Sequence, residues 1–173
     1  MDTLFYFSKS ADKKPGKGVN EFVKNLKDYE ELSQIKDWRK ILSNFYVAPF
    51  KYNGKTWNTI EHAFQSKKIE LVDEKLAEKF TLESGDGIGR GGGLVARKNR
   101  KLVILDEDQL KHWNSIKFQI MEEILFEKFS QNELCKKVLL ATNEACLLHS
   151  TGRGVSPVRQ YGLENVRKRV KNM

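Results

Sequence analysis

The stretch from Leu42 to Ile69 constrains the fold more than any other part of the chain, because it joins a marked β-hairpin to a helix. The dipeptide Asn53-Gly54 separates Phe50 and Tyr52 from Trp57. This pattern predicts a two-residue type I′ turn, since both central residues of such a turn need positive φ. We therefore expect a short antiparallel hairpin at this point.

The residues that follow the hairpin predict a helix with two different faces. Asn58 or Thr59 can cap its first turn. A buried stripe is expected at Ile60, Ala63, Phe64 and Leu71. Glu61, Gln65 and Lys68 lie at i, i+4 and i+7 on another face. Spacing alone is typical of a solvated polar face, but it also brings a carboxylate, an amide and an ammonium group together.

The fixed positions of this stretch resemble the signature of the NADAR (YbiA-like) family, which reads roughly SNFY, a Pro-Phe pair, a hairpin and W-x-T-[VI]-E-H-x-F-Q-x-x-K. This chain carries them in residues 43–46, in Pro49-Phe50 and in residues 57–68. The likeness continues through Arg100-Lys101, Trp113, Met121, Lys128-Phe129 with Gln131, and Leu139-Leu140-Ala141-Thr142. It covers about residues 40 to 170.

The resemblance implies cleavage of N-glycosidic bonds. Members of the family remove ADP-ribose from modified guanine in nucleic acid, and others hydrolyse phosphorylated intermediates of riboflavin synthesis. Where riboflavin-type members carry an acidic residue and an aromatic-Trp-Gly run, this chain reads LLHSTGRG over residues 147–154. This departure favours ADP-ribosylated nucleic acid as the substrate and ADP-ribose as the product. A riboflavin intermediate, or a non-catalytic module that binds ADP-ribose or NAD, remains the alternative.

The same resemblance assigns catalytic roles to Glu61 and Lys68. Departure of a nitrogen base leaves positive charge on the ribose, so Glu61 is expected to stabilise that charge or to activate water. Lys68 is expected to fix the carboxylate or to act on the sugar or the leaving group. Gln65 is expected to orient a hydroxyl group. Neither a metal nor a cofactor is required.

Further substrate-binding residues are expected in three chemical classes. Aromatic rings that can stack on adenine or guanine, with the protein core as the alternative, are Phe45, Trp57 and Trp113. Guanidinium groups that suit a diphosphate are those of Arg97, Arg100 and Arg153. Asn44 is a candidate for ribose or diphosphate. His149 is a candidate in the divergent segment, with a satisfied buried histidine as the alternative.

Positive charge is concentrated in three parts of the chain, whose formal net charge is +8. Residues 9–18 hold four lysines against one aspartate, residues 90–101 hold five basic residues and no acid, and residues 151–173 hold six against one glutamate. Together these segments could form a surface for a polyanion. Ordinary solvated faces of a lysine-rich protein are the alternative.

Length and composition favour one intracellular domain. A chain of 173 residues with 39% apolar content can bury a core without disulfides. Cys135 and Cys146 are expected to be reduced core residues. No segment has the pattern of a signal peptide or a membrane span, so we expect no membrane partner and a cytoplasmic location, or a nuclear one in a eukaryote. The oligomeric state is left open.

The rest of the pattern predicts a mainly helical α+β fold with a small sheet. We expect a single NADAR-like domain over residues 1–173, in which residues 1–40 form an N-terminal extension packed on the signature. Strands are expected at residues 4–7 and 145–149. Helices are expected through Val19 to Leu26, on through Leu32, Ile35 and Trp38, at residues 75–80, through residues 116–129, from Leu134, and through Leu163 to Val170.

Two glycine-containing segments have a less specific pattern. Residues 85–93 contain six glycines, in spacing that fits neither a Walker loop nor a dinucleotide fingerprint. A flexible connection that binds nothing is the favoured interpretation, with a mobile loop near the site as the alternative. The basic turn Lys14-Pro15-Gly16-Lys17-Gly18 could reach a diphosphate, although exposed loops commonly have this composition.

Histidine and cysteine usage generates the first testable prediction. The three histidines and two cysteines of the chain form no recognisable set of metal ligands. We therefore expect glycosidase activity to survive exhaustive dialysis against EDTA. Loss of activity that a single added metal restores would contradict this expectation.

Overall fold

The computed structural model describes residues 1–6, 13–18, 20–149 and 155–173. Its helices in these residues are α1 (Glu30–Ser33), α2 (Trp38–Ile41), α3 (Ile60–Ile69), α4 (Glu74–Glu78), α5 (Gly87–Arg90), α6 (Gly93–Lys98), α7 (Glu107–Gln131), α8 (Glu133–Ala141) and α9 (Tyr161–Lys171), with 3₁₀ helices at Leu26–Tyr29 and Asn99–Leu102. The strands are β1 (Thr3–Tyr6), β2 (Phe50–Tyr52), β3 (Lys55–Trp57), β4 (Cys146–His149) and β5 (Val158–Arg159). The mainly helical α+β fold predicted from the sequence is confirmed.

None of the helices in the described residues is long and apolar enough to cross a bilayer.

The chain divides into two compact units, one formed by residues 1–43 with 133–173 and the other by residues 44–132.

The first unit is built on a three-stranded sheet with β4 in the middle. Strand β1 pairs with β4 in parallel, with Thr3 opposite Cys146, and β5 pairs with β4 antiparallel. Helix α2 packs on β1, and α9 packs on β4 and α8. Fully buried apolar side chains of this unit are those of Leu4, Leu32, Leu42, Val138, Leu139, Leu147 and Val166. Both cysteines are buried and neither forms a disulfide, as predicted.

The second unit begins with the predicted hairpin. Strands β2 and β3 pair antiparallel, and both turn residues have positive φ, 52° at Asn53 and 73° at Gly54. The type I′ turn is therefore confirmed. Helix α3 packs against α4, α6 and α7, while α7 also packs against β2. Helix α7 begins nine residues earlier than predicted, and a capping box formed by Asp106 and Gln109 marks its start.

The prediction of a helix through Val19 to Leu26 was wrong for the described part of that range. Phe22 instead forms an antiparallel bridge with Thr3, and the Asp2 carboxylate accepts a hydrogen bond from the backbone N–H of Lys24 at 3.0 Å. Tertiary pairing with the first strand overrides the helical spacing of the apolar residues. The expected continuation to Trp38 is also interrupted, because Asp37 adopts a left-handed conformation with φ of 59° between α1 and α2.

The glycine-rich segment is not the flexible connection that its composition favoured. It forms α5 and the start of α6, and Gly89 lies directly against the backbone of residues 79–81. A Cβ atom at Gly89 would stand 2.0 Å from the carbonyl oxygen of Thr81. At Gly93 it would stand 2.6 Å from the Cα of Phe45. Glycine is present at these two positions because other backbone approaches closely.

The close approach at Gly89 generates a stability prediction with a control in the same helix. Gly89→Ala should destabilise the protein by about 1–3 kcal/mol, since the atoms it meets belong to backbone and cannot move aside cheaply. Gly87→Ala should be neutral or stabilising, because no neighbouring heavy atom lies within 4 Å of its added Cβ. Urea unfolding followed by circular dichroism measures both. Equal midpoints for the two variants would contradict the packing argument.

Candidate functional site

Helix α3 starts at a tightly fixed N-terminus. The side chain of Thr59 caps the helix by accepting from the backbone N–H of His62, and the carbonyl of Asn44 accepts from the N–H of Glu61 at 3.2 Å. The fully buried His62 ring joins Thr59 Oγ1 at 2.7 Å and the carbonyl oxygen of Ile88 at 2.8 Å. Because that carbonyl only accepts, Nε2 carries the ring proton and Nδ1 accepts from the threonine hydroxyl. Burial lowers the pKa of His62, so the neutral ring fixes the helix in place.

Two of the three residues on the polar face of α3 are buried, contrary to the solvated face that the spacing alone suggested. Glu61 is 9% exposed and Gln65 is 7% exposed. Gln65 Nε2 donates to Glu61 Oε1 at 2.9 Å. Burial raises the pKa of Glu61, although the hydrogen bond from Gln65 and the positive charges of Arg97, Arg100 and Lys68 act in the opposite direction. The site therefore holds a carboxylate whose charged form is destabilised by burial.

The other polar atom of Gln65 has no partner within the described residues. Its Oε1 is buried and accepts no hydrogen bond there. A buried acceptor without a donor costs free energy on the order of 1–3 kcal/mol. Such an atom beside a carboxylate is suited to accept from a hydroxyl group of a bound ligand.

Three cations of the second unit add positive charge around Glu61. Lys68 lies on α3, Arg97 on α6, and Arg100 in the following 3₁₀ helix. Lys68 and Arg100 are half-buried and Arg97 is exposed. In the part of the chain that the structure describes, none of the three side chains forms a hydrogen bond or a salt bridge. Their donors therefore remain available for oxygen atoms of a ligand.

The structure places the other predicted residues of this unit in different environments. Asn44 and Phe45 are half-buried, and the Asn44 amide lies 4.0 Å from the sulfur of Met121. Trp57 is buried, and its indole N–H donates to the carbonyl of Tyr52 at 2.9 Å. Trp113 is buried with its ring centroid 5.0 Å from that of Phe64. Their roles as stacking partners of a base stay predictions.

The two remaining predicted residues are His149 and Arg153. His149 belongs to β4 of the first unit, where its ring lies 5.1 Å from that of Tyr6. Arg153 lies outside the described residues. We keep both as predictions.

The terminal basic helix is less exposed than its sequence suggested. Arg167 is 5% exposed and donates to Thr142 Oγ1 and to the carbonyl of Ala145, both at 2.9 Å. Arg159 forms a salt bridge with Glu164 at 2.8 Å. The exposed basic residues of α9 are Lys168, Arg169 and Lys171.

Sequence reasoning missed two features of the second unit. It did not identify the buried link from His62 to Ile88, which joins α3 to the glycine-rich segment. It also gave no special place to Lys128, which is fully buried with its ammonium 4.7 Å from the centroid of the Phe129 ring and 5.6 Å from that of Tyr46. A histidine or lysine within an amphipathic helix carries no local signal of burial.

A metal centre finds no support in the described residues. They contain no group of three or more histidine, cysteine, aspartate or glutamate side chains placed to hold an ion.

Comparison with known proteins identifies relatives of this chain. Residues 21–154 match the NADAR domain family. N-glycosidase YbiA of Shigella boydii serotype 4 (strain Sb227) is 37% identical over 109 residues, which are 63% of this chain and 61% of that protein. A riboflavin biosynthesis protein of Vibrio vulnificus (strain YJ016) is 31% identical over 103 residues, 60% of this chain and 25% of that protein. The matched stretch thus spans about three-fifths of the length of the first relative.

A solved structure shows the same fold. The NMR structure of the E. coli protein YbiA has a TM-score of 0.58 and 23% sequence identity, and the match covers 99% of this chain and 88% of that one.

The burial of Glu61 generates a prediction about stability and pH. Because its pKa in the folded protein is raised above that in the unfolded chain, its contribution to stability is present at low pH and is lost as the pH rises through the folded pKa. Glu61→Gln removes the ionisable group, so the variant does not lose stability in this way as the pH rises. Its side-chain oxygen can still accept the hydrogen bond from Gln65. We therefore expect the variant to gain stability relative to wild type as the pH rises from 4 to 8, as measured by urea unfolding.

Glu164→Gln supplies the control of opposite sign. The salt bridge to Arg159 and the hydrogen bond from the N–H of Leu147 hold the pKa of Glu164 low against the effect of its burial. Its stabilising contribution is present above the unfolded pKa and is lost on acidification. This variant should lose stability relative to wild type over the same pH rise. Parallel curves for the two variants would contradict the assignment.

Proposed function

Because the chain belongs to the NADAR family, as its sequence predicted, we propose that it hydrolyses N-glycosidic bonds and removes ADP-ribose from guanine in nucleic acid. One observation carries the proposal, namely the buried pair of Glu61 and Gln65, surrounded by three cations that have no hydrogen-bond or salt-bridge partner among the described residues. A related protein is named N-glycosidase YbiA. The products are ADP-ribose and the unmodified base.

Charge development during the reaction explains the need for a buried carboxylate. As the bond from ribose C1′ to the base nitrogen breaks, positive charge grows on the sugar. An ionised Glu61 stabilises that charge, and its low-polarity surroundings strengthen the attraction. Its raised pKa also suits it to take a proton from the attacking water. The water oxygen bonds to C1′, and the bond to the base breaks.

The neighbouring side chains supply the remaining functions. The amide N–H of Gln65 orients the carboxylate, and its unpaired Oε1 accepts from a ribose hydroxyl. Lys68 donates a proton to the leaving nitrogen, while Glu61 takes one proton from the attacking water. Exchange with solvent then returns both side chains to their starting protonation states. Arg97 and Arg100 pair with the diphosphate, for which guanidinium groups have the right geometry.

A second candidate substrate is a phosphorylated intermediate of riboflavin synthesis. The observation that favours it is the relative from Vibrio vulnificus, which is named a riboflavin biosynthesis protein. The same carboxylate would serve it, because that substrate also carries a ribose joined to nitrogen. Incubation with each substrate, followed by chromatography of the products, separates the two functions. Release of ADP-ribose from the modified oligonucleotide is the result that supports our proposal.

The role of Glu61 is tested by its effect on turnover. Glu61→Gln should lower the rate of ADP-ribose release by about 10² or more, with ADP-ribose binding largely retained, because the variant cannot carry negative charge. Glu70→Gln is the matched control, since Glu70 is an exposed carboxylate at the end of α3 that pairs with Lys67. Single-turnover kinetics and calorimetric titration with ADP-ribose measure the two quantities.

Three outcomes would count against these roles. Wild-type turnover in Glu61→Gln would remove the catalytic assignment. ADP-ribose binding without turnover of either substrate by the wild-type protein would identify a non-catalytic module. Lys68→Ala should lose turnover like Glu61→Gln, and a change in affinity alone would make Lys68 a binding residue.

A further inference from the structure

The first unit contains a basic turn whose shape is fixed by a buried ion pair. Arg39 and Glu21 form a salt bridge with side chains that are 2% and 0% exposed. Glu21 Oε1 accepts from the N–H groups of Gly16 and Gly18, both at 3.0 Å. Arg39 donates to the carbonyl oxygens of Lys13 and Lys14 at 3.1 to 3.2 Å. The backbone of residues 13–18 is therefore held from inside the unit.

This support leaves the lysine side chains of the turn pointing into solvent. Lys14 and Lys17 are exposed, and so is Lys27 in the adjacent 3₁₀ helix. Within the described residues none of the three forms a salt bridge or a hydrogen bond through its side chain. A turn that is rigid in its backbone can present cations with little loss of backbone freedom on binding.

The three lysines line one cavity of about 290 Å³. Its apolar walls come from Pro15, Leu26 and Tyr29, and Glu30 supplies the one carboxylate among the described residues that line it. The Tyr29 hydroxyl is already engaged, since it donates to Asp2 at 2.6 Å. Three cations against one anion beside an apolar wall match a phosphate joined to a sugar or base.

A second cavity of the same unit shows that this charge excess is not general. Two lysines and two glutamates line it, namely Lys136, Lys137, Glu31 and Glu133. Its charges balance, so it has no preference for an anion. A third cavity of the unit has the same excess of positive charge, from Arg167, Lys168 and Lys171 against Glu144. There, however, Arg167 is hydrogen-bonded to Thr142 and Ala145, and Lys171 pairs with Glu144. The basic turn differs because its three lysines form no such bonds within the described residues.

We propose that the turn of residues 13–18, together with Lys27, is a second phosphate-binding site that takes a backbone phosphate of a polynucleotide. The choice of ligand rests on the proposed function. A nucleic acid substrate supplies many backbone phosphates in addition to the diphosphate of its ADP-ribose group. Lys14, Lys17 and Lys27 neutralise phosphate charge, while Leu26 and Tyr29 contact the sugar or base. The backbone amides of the turn take no part, because Glu21 already occupies those of Gly16 and Gly18.

The test measures binding of an unmodified single-stranded oligonucleotide as a function of salt concentration. Lys14→Ala/Lys17→Ala should weaken binding by on the order of tenfold at low salt. It should also reduce the magnitude of the log–log salt slope by about 1.4, because each lysine contact that is lost means that fewer counterions are released on binding. Lys136→Ala/Lys137→Ala is the matched control, with the same loss of charge in the same unit. It should leave affinity and slope close to wild type.

Separate outcomes distinguish this site from the glycosidase proposal. Equal effects of the two double variants would overturn the site, because only general charge would then matter. Free AMP and an unlabelled oligonucleotide are compared as competitors at equal phosphate concentration. If AMP competes as well as the oligonucleotide, the site binds a free nucleotide and the polynucleotide assignment is overturned. The probe carries no ADP-ribose, so a failure of Glu61 to catalyse would leave this result unaffected. Conversely, loss of the lysines should leave turnover of a minimal ADP-ribosylated guanine nucleoside unchanged.

Discussion

The burial of α3 is the constraint on which the second unit depends. This helix turns both an apolar stripe and a polar face inward, so its carboxylate at Glu61 must be accommodated away from water. The neutral His62 ring fixes the helix start against the segment that contains Ile88, and Gly89 and Gly93 allow neighbouring backbone to approach closely. The helix fixed in this way carries Glu61, whose ionisation is unfavourable in its buried surroundings.

Burying Glu61 costs stability, and under the proposed function this cost serves reactivity, as it commonly does at functional sites. A solvated glutamate would fold at no cost but would be a weak electrostatic group and a poor base. The positive charges of Arg97, Arg100 and Lys68 partly offset the burial of Glu61. The first unit shows the contrasting solution, because its buried Glu21 is fully hydrogen-bonded to Arg39 and to backbone N–H groups.

Local chemistry determined which parts of the structure could be predicted from the sequence. The hairpin at Asn53-Gly54, the cap at Thr59 and the long helix α7 follow from short-range signals, and all are present. The region through Phe22 and the glycine-rich segment were misjudged, because distant pairing decides the first and close backbone packing decides the second. Residue identities suggested Glu61 and Gln65 as site residues, but burial, which gives the carboxylate its altered pKa, has no signature in their spacing.

The parallel pairing of β1 with β4 has a consequence for how the chain folds during synthesis. Residues 44–132 are contiguous, so the second unit has all of its sequence once they leave the ribosome. The first unit takes strands from both ends of the chain, since Thr3 lies opposite Cys146. Its central strand β4 is translated after all of residues 44–132, so β1 must wait without its sheet partner while that stretch is made. The first unit therefore completes its sheet only after the whole sequence of the second unit has been translated.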